Sequence, residues 1–383
     1  MAIKRTDDEL IEDLLQPISD IYQEVNTKVL SIITERIKYV GQLTPTDAAR
    51  LSILLRNQDL KQIETILSEA TDLSIKQIDS IVTESASYND ELSEKLFKAK
   101  NMPPATFSTD LSLLTIVEQA KKSIVDDVVN LSKTTGFMLN GKMTDTAKTY
   151  NYAVNRAVFE VQQGLFDFNT AMRSTIKELA DSGIRTVDFA SGYSRRLDSQ
   201  ARMNISDGVR QLNASYRDMQ GKRFGSDGIE LSAHGLCSPD HLPYQGKQYT
   251  NKEFERIQSS LKRPFFTMNC HHSKFPIIIG ISDPAYSDKE LMEIEQKSNE
   301  IVKYQLPGGK VVEKSRYEAT QDQRRQETKI RRLKDNKTQF EIMNDKVEVS
   351  NLNRKIKEQT SIYKKMSEQM GISPKLDRTR IVK

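Results

Sequence analysis

The stretch Asp227-Gly228-Ile229-Glu230-Leu231-Ser232-Ala233-His234 is where the chain changes texture. Upstream of it, apolar residues recur every three or four positions, the period of one helix face. Within it, a turn dipeptide leads into apolar–polar alternation, the period of a half-buried strand. Pro239, Pro243 and Gly246 then mark irregular loops, residues 252–260 form a helical patch, and Phe275-Pro276-Ile277-Ile278-Ile279-Gly280 fits a short buried strand. The expected fold class is therefore mainly α with one small α+β domain, and this window is its β-containing part.

On the N-terminal side, Leu10, Leu14, Ile18, Ile21, Val25, Val29 and Ile32 define a first amphipathic face behind a Thr6-x-x-Glu9 capping box. Pro17 should kink that helix or end a first short one. Thr44-Pro45-x-Asp47 restarts helix with a capping hydroxyl, a proline at the first helical position and an early acid. Further helices are expected over 74–100, 108–139, 144–166 and 194–224, with Asn169 capping another and Gly225 closing the last. Charged helix resumes over 288–304 and 314–370, with Pro307-Gly308-Gly309 as a turn. Its sparse apolar positions, among them Ile330, Phe340 and Leu352, predict a long, lightly anchored helix or helical pair. The chain thus divides into an N-terminal helical region (1–140), a compact α+β domain (141–285) and a basic helical extension (286–383).

Composition agrees with this class. Charged residues make up 29%, aromatics 7%, Trp is absent, and 16 Gly with 11 Pro in 383 residues suits long helices better than a turn-rich β fold. Two cysteines do not make a disulfide framework and fit a reducing compartment. Neither a secretory signal nor a membrane-spanning run is evident, so a soluble protein is expected. Charge is uneven: from Lys303 onward there are 21 Lys and Arg against 11 Asp and Glu, a net of +10, so with +4 overall the first 302 residues carry −6. A basic end on an acidic body suggests an anionic partner, or simply a solvated charged helix. Arg324, Arg325, Lys329, Arg331, Arg332 and Lys334 are the candidate contacts with nucleic acid or a partner.

All four histidines and both cysteines fall between His234 and His272, as His234-x2-Cys237-x3-His241 and Cys270-His271-His272. Zinc takes four Cys or His ligands, often as two distant pairs, so His234, His241, Cys270 and His272 could form a cage, although the spacing is no recognised finger. A nucleophilic reading would pair Cys270 with His241 or His234. The third reading is a polar pin, in which His and Cys satisfy buried backbone groups of a small domain. The pin is the preferred reading and zinc its competitor.

Several ordered motifs carry a resemblance. They are Gly183-Ile184-Arg185-Thr186-Val187-Asp188-Phe189-Ala190-Ser191-Gly192 through Arg195-Arg196-Leu197-Asp198, then Glu230-Leu231-Ser232-Ala233-His234, Pro239-x-His241, Tyr244-Gln245-Gly246-Lys247, Asn269-Cys270-His271-His272 and Tyr317-Glu318-Ala319-Thr320-Gln321. Together they resemble the phage minor capsid protein 2 family, related to the Mu F-like head morphogenesis proteins. His234, His241, Gln245, Gly246, Cys270 and His272 match the pattern, and Asn269 belongs to the same structural motif. Two residues depart from it: His271 stands where Arg is expected and Cys237 where a small residue is usual.

The resemblance implies a structural head protein of a tailed phage or prophage rather than an enzyme. It implies the portal and other capsid proteins as partners, non-specific contact with packaged DNA, and residues 1–140 as the docking region. It places the protein in the virion, at the capsid interior or portal vertex, and in the host cytoplasm during assembly, with no membrane insertion. Roles in head assembly, genome packaging or delivery follow, with zinc the one cofactor to consider. The alternative is an enzyme, either a metal-dependent or Cys/His hydrolase or an ADP-ribosyltransferase-like transferase. The Arg/His, Ser-Thr-Ser and Glu set of the transferases is not found, and fold analogy does not transfer activity.

Overall fold

A computed structural model describes residues 7–99, 101–164, 167–187 and 193–382. Thr6 of the expected capping box, and Asp188 to Gly192 of the signature, lie outside the described residues. Ten α-helices and nine short strands are found among the described residues, so the chain is mainly α with small antiparallel sheets.

Helix α1 spans Asp7–Val40 without a break at Pro17. A proline removes one helical hydrogen bond, but Leu15, Ile18 and Tyr22 around it are buried, and their packing holds the helix together. Helix α2 runs from Pro45 to Ala99 as one element, not the two expected. The polar stretch about Thr71 and Ser74 stays helical, and both hydroxyls are satisfied within the helix, bonding back four residues to the carbonyls of Leu67 (2.8 Å) and Ala70 (2.7 Å). Helix α3 (Leu111–Lys133) is capped by Asp110, whose carboxylate accepts from the amides of Ser112 and Leu113.

The expected helix over 108–139 stops early. Strands β1 (Thr135–Leu139) and β2 (Lys142–Asp145) form a hairpin whose turn, Asn140-Gly141, has positive φ at both positions. Helices α4 (Thr146–Gln162) and α5 (Phe168–Ser182) follow, the latter capped by Asp167 rather than Asn169. Strands β3 (Arg185–Val187) and β4 (Ser194–Arg196) complete an antiparallel sheet of order β2-β1-β3-β4. Helix α6 (Leu197–Phe224) ends at left-handed Gly225. The window at 228–277 is therefore not the sole β-containing part.

That window holds a second sheet, of order β6-β5-β7, from Gly228–Leu231 (β5), Gln248–Thr250 (β6) and Lys274–Ile277 (β7), with helix α7 (Asn251–Ser260) between β6 and β7. Helix α8 covers only Asp288–Asn299 of the expected 288–304; Ile301–Gln305 (β8) pairs instead with Val311–Ser315 (β9). Helices α9 (Arg316–Ile342) and α10 (Lys346–Met370) follow, and a 3-10 turn at Leu376–Thr379 ends the ordered secondary structure.

One hydrophobic core joins α1 to α6 and the β1 hairpin, and takes Phe340, Met343 and Leu352 from α9, its following turn and α10. A smaller core of Ile229, Leu231, Phe254, Phe265, Phe266, Cys270 and Ala214 lies under the second sheet. A third packs Tyr304, Ala319, Ile330, Tyr363, Met366 and Met370. The α9–α10 pair is not lightly anchored. Buried Asp335 accepts from Arg196 Nη1 at 2.9 Å, Thr34 donates to Gln339 at 2.9 Å, Asn336 to Asp181 at 2.7 Å, and Arg331 pairs with Asp198. Polar anchors of this kind leave few apolar residues in the sequence, which is why the segment reads as loosely held.

Candidate functional site

Two loops of the second sheet bring the Cys/His residues together. Residues 232–247 leave β5 and return beside it: the Gly246 amide donates to the Leu231 carbonyl (2.9 Å) and the Leu231 amide to the Lys247 carbonyl (3.1 Å). This loop carries His234, Cys237, His241 and Gln245. Residues 261–273 run into β7 and carry Cys270, His271 and His272. Ser232 and Ser273 tie the two loops, with the Ser232 amide on the Ser273 carbonyl and the Ser273 amide on the Ser232 hydroxyl, both at 2.8 Å.

The second loop is conformationally expensive. Phe266, Met268 and Asn269 all have positive φ, a region that non-glycine residues rarely adopt. Asp207 of α6 holds it in place, its carboxylate accepting from the amides of Met268 (2.6 Å) and Asn269 (2.8 Å).

The result is a buried cluster. Nδ1 of His272 lies 3.3 Å and Nδ1 of His241 3.6 Å from Sγ of Cys270. The far nitrogen of each ring is also engaged: His241 Nε2 meets the Arg263 carbonyl at 2.8 Å, and His272 Nε2 meets Gln245 Oε1 at 3.2 Å. Phe265 covers His241, their ring centres 4.2 Å apart. Three of the four expected ligand residues, His241, Cys270 and His272, thus have their donor atoms within 4.8 Å of one another.

His234 stands beside them, its ring centre 4.4 Å from that of His272. Its Nδ1 faces the Gly235 carbonyl, while its Nε2 is buried and without a hydrogen-bond partner. Cys237 is buried nearby, its thiol on the Ser238 carbonyl. His271 turns the other way, its Nδ1 2.6 Å from Asp8 on α1 and its Nε2 accepting from Asn269 at 3.1 Å. The two residues that depart from the family pattern, Cys237 and His271, are therefore outside the three-residue cluster.

Electrostatics set what the cluster can do unaided. Burial holds His272 neutral, its pKa lowered to about 2, and pushes the Cys270 thiol up. Burial likewise lowers His234 and raises Cys237 to about 12. A Cys–His nucleophile needs the opposite, a thiolate favoured beside an imidazolium. The thiol is also buried.

Gln245 and Gly246 play structural parts that their motif only hinted at. Gln245 Oε1 accepts from the His234 amide at 3.1 Å as well as facing His272. Gly246 has φ +69°, and a Cβ there would come within 2.2 Å of Leu291 Cδ2. Sequence reasoning missed Asp207 and Arg263, the latter bonded to Asp240 and Ser238 while its carbonyl holds His241.

The basic residues of α9 split into two groups. Arg325 pairs with Asp322, Arg331 with Asp198, and Lys334 donates to the Thr379 carbonyl at 2.7 Å. Arg324, Lys329 and Arg332 are exposed, and Arg324 lines the two adjoining clefts that share His271.

A model of the family described as phage minor capsid protein 2 matches residues 6–366, nearly the whole chain. The chain belongs to the phage minor capsid protein 2 family. The match runs from α1 into α10 and so takes in the Cys/His cluster, the second sheet and the basic helix. No curated protein and no solved structure matches the chain. Among the described residues of this capsid-family protein, no helix is long and apolar enough to cross a membrane.

Proposed function

We propose that this minor capsid protein acts at the portal vertex of the phage head, bound to the portal and neighbouring capsid proteins, and serves assembly, genome packaging or delivery without obligatory chemistry. The observation that carries the reading is the family match over residues 6–366, which makes the chain a head component. Its docking region is residues 1–140, a reading supported by Ile53 and Leu54 of α2, which are 63% and 62% exposed and so available to a partner. Lodging in the capsid interior, after assembly in the host cytoplasm, gives exposed Arg324, Lys329 and Arg332 a polyanion to meet; contact would be with phosphates and without sequence preference. The neutral, buried state of Cys270 and His272 supports a structural task for the cluster.

Co-expression with the portal protein tests the reading. The two should co-purify, and Ile53→Asp with Leu54→Asp should separate them while leaving helix content unchanged. Separate purification of two folded proteins would contradict it. A reaction that stops in Cys270→Ser, with stability kept, would replace the assembly reading by the enzymatic one.

A further inference from the structure

The hydrogen-bond accounting of the Cys/His cluster does not close with protein atoms alone. The His234 amide can only donate, so the Gln245 atom it meets at 3.1 Å is the carbonyl oxygen. That oxygen in turn requires His272 Nε2, 3.2 Å away, to carry the ring proton. The Arg263 carbonyl makes the same demand of His241 Nε2. In neutral rings both Nδ1 atoms are then bare lone pairs, and both point at one thiol. A thiol has a single proton and can satisfy one of them. The other is left buried with an unmet acceptor, a state that buried polar groups avoid.

We propose that His241 Nδ1, Cys270 Sγ and His272 Nδ1 bind a zinc ion, with His234 Nε2, which stands outside their 4.8 Å group, moving in to complete the set. A cation accepts all three lone pairs at once and removes the deficit. The distances suit it: Zn–S of about 2.3 Å and Zn–N of about 2.0–2.1 Å in a tetrahedron separate sulfur from nitrogen by about 3.6 Å, and the observed separations are 3.3 and 3.6 Å. Each histidine already has the outer partner that metal-bound imidazoles use to fix their tautomer, a carbonyl oxygen on the far nitrogen. His234 Nε2 is the buried nitrogen nearby that lacks a partner. Zinc favours such a mixed thiolate–imidazole set over hard oxygen-seeking cations, and it would deprotonate the thiol that burial otherwise keeps neutral. The ion would bind the 232–247 and 261–273 loops to each other above a core of few apolar residues, which explains why a strained loop is maintained there.

The test uses the full chain, purified without chelator. About one zinc per chain is expected, and chelation should lower the melting temperature, with added Zn2+ restoring it. Replacement by Co2+ should give the visible bands of a tetrahedral site and a near-ultraviolet thiolate charge-transfer band. Cys270→Ser should lose that band and Cys237→Ser should keep it. Gln245→Leu should weaken metal binding by about 10–100-fold through the loosened His272 ring. A folded, metal-free wild-type chain whose melting temperature ignores both chelator and Zn2+ overturns the proposal, whatever the variants do. Metal content unchanged in His234→Ala, with unchanged affinity, removes His234 from the ligand set.

Discussion

Gln245 Oε1 holds two partners that belong to different parts of the site, the His234 amide at 3.1 Å and His272 Nε2 at 3.2 Å. One carbonyl oxygen thereby fixes the first loop and turns the second loop's imidazole toward Cys270. Gln245→Leu should leave one buried and one half-buried donor unsatisfied and cost about 2–4 kcal/mol. Gln245→Glu keeps an acceptor and should cost less. Urea unfolding of the two variants checks the order; equal losses would mean that the amide's packing, not its oxygen, matters.

Asp207 should prove as important to the site as His241, Cys270 and His272. Removing its carboxylate frees the amides of Met268 and Asn269 at positive φ. Asp207→Ala should therefore expose the 264–270 loop to limited proteolysis while α6 itself stays folded. Unchanged cleavage would show the loop to be held by other contacts.

Gly246→Ala combines a disfavoured φ of +69° with a 2.2 Å approach to Leu291 Cδ2. A loss of about 1–3 kcal/mol is expected. Adding Leu291→Ala should restore the steric part alone, so partial recovery of thermal stability is the predicted signature.

Arg173 and Asp345 join α5 to the start of α10 through two hydrogen bonds, at 2.7 and 3.1 Å. The Arg173 guanidinium, the largest influence, holds the Asp345 carboxyl below its ordinary 3.8. A depressed folded-state pKa means that the unfolded chain takes up the proton first as pH falls. The contribution is therefore full above the ordinary carboxylate value and is lost as pH falls below it toward the folded-state pKa. Arg173→Ala should lower stability by about 2 kcal/mol at neutral pH, and the wild-type and variant curves should converge below pH of about 4. Parallel curves would contradict the assignment.

If Arg324, Lys329 and Arg332 meet packaged DNA, replacing all three by Ser should reduce the salt slope of DNA binding by up to about 2.7. An unchanged slope removes that contact. Deleting residues 303–383 is a poor substitute, because Phe340, Met343 and Leu352 belong to the main core.

Helix class was legible because helix periodicity survives in long elements such as α1 and α3. What the sequence hid had specific causes. The β1–β2 hairpin carried its signal in Asn140-Gly141, but flanking apolar residues extended the helical pattern across it. Likewise, Ile301-Val302-Lys303-Tyr304-Gln305 alternates and is β-branched at its start, yet follows a charged helix without a proline break. Arg210 and Arg217 of α6 are both buried, paired with Asp8 and Asp7 some 200 residues away, contacts that no local pattern indicates. The Cys/His cluster was legible as residue types. Its tautomers and loop conformation were not, because Arg263 acts through its backbone carbonyl, Gln245 through its side-chain amide and Asp207 by holding two backbone amides, none of which a spacing rule singles out.

A place at the portal vertex of the head is the central proposal. An asymmetric cryo-EM reconstruction of purified particles tests it most directly. A few copies should appear at the portal vertex, with residues 1–140 against the portal. Copies spread over the shell lattice, or particles without the protein, would contradict it.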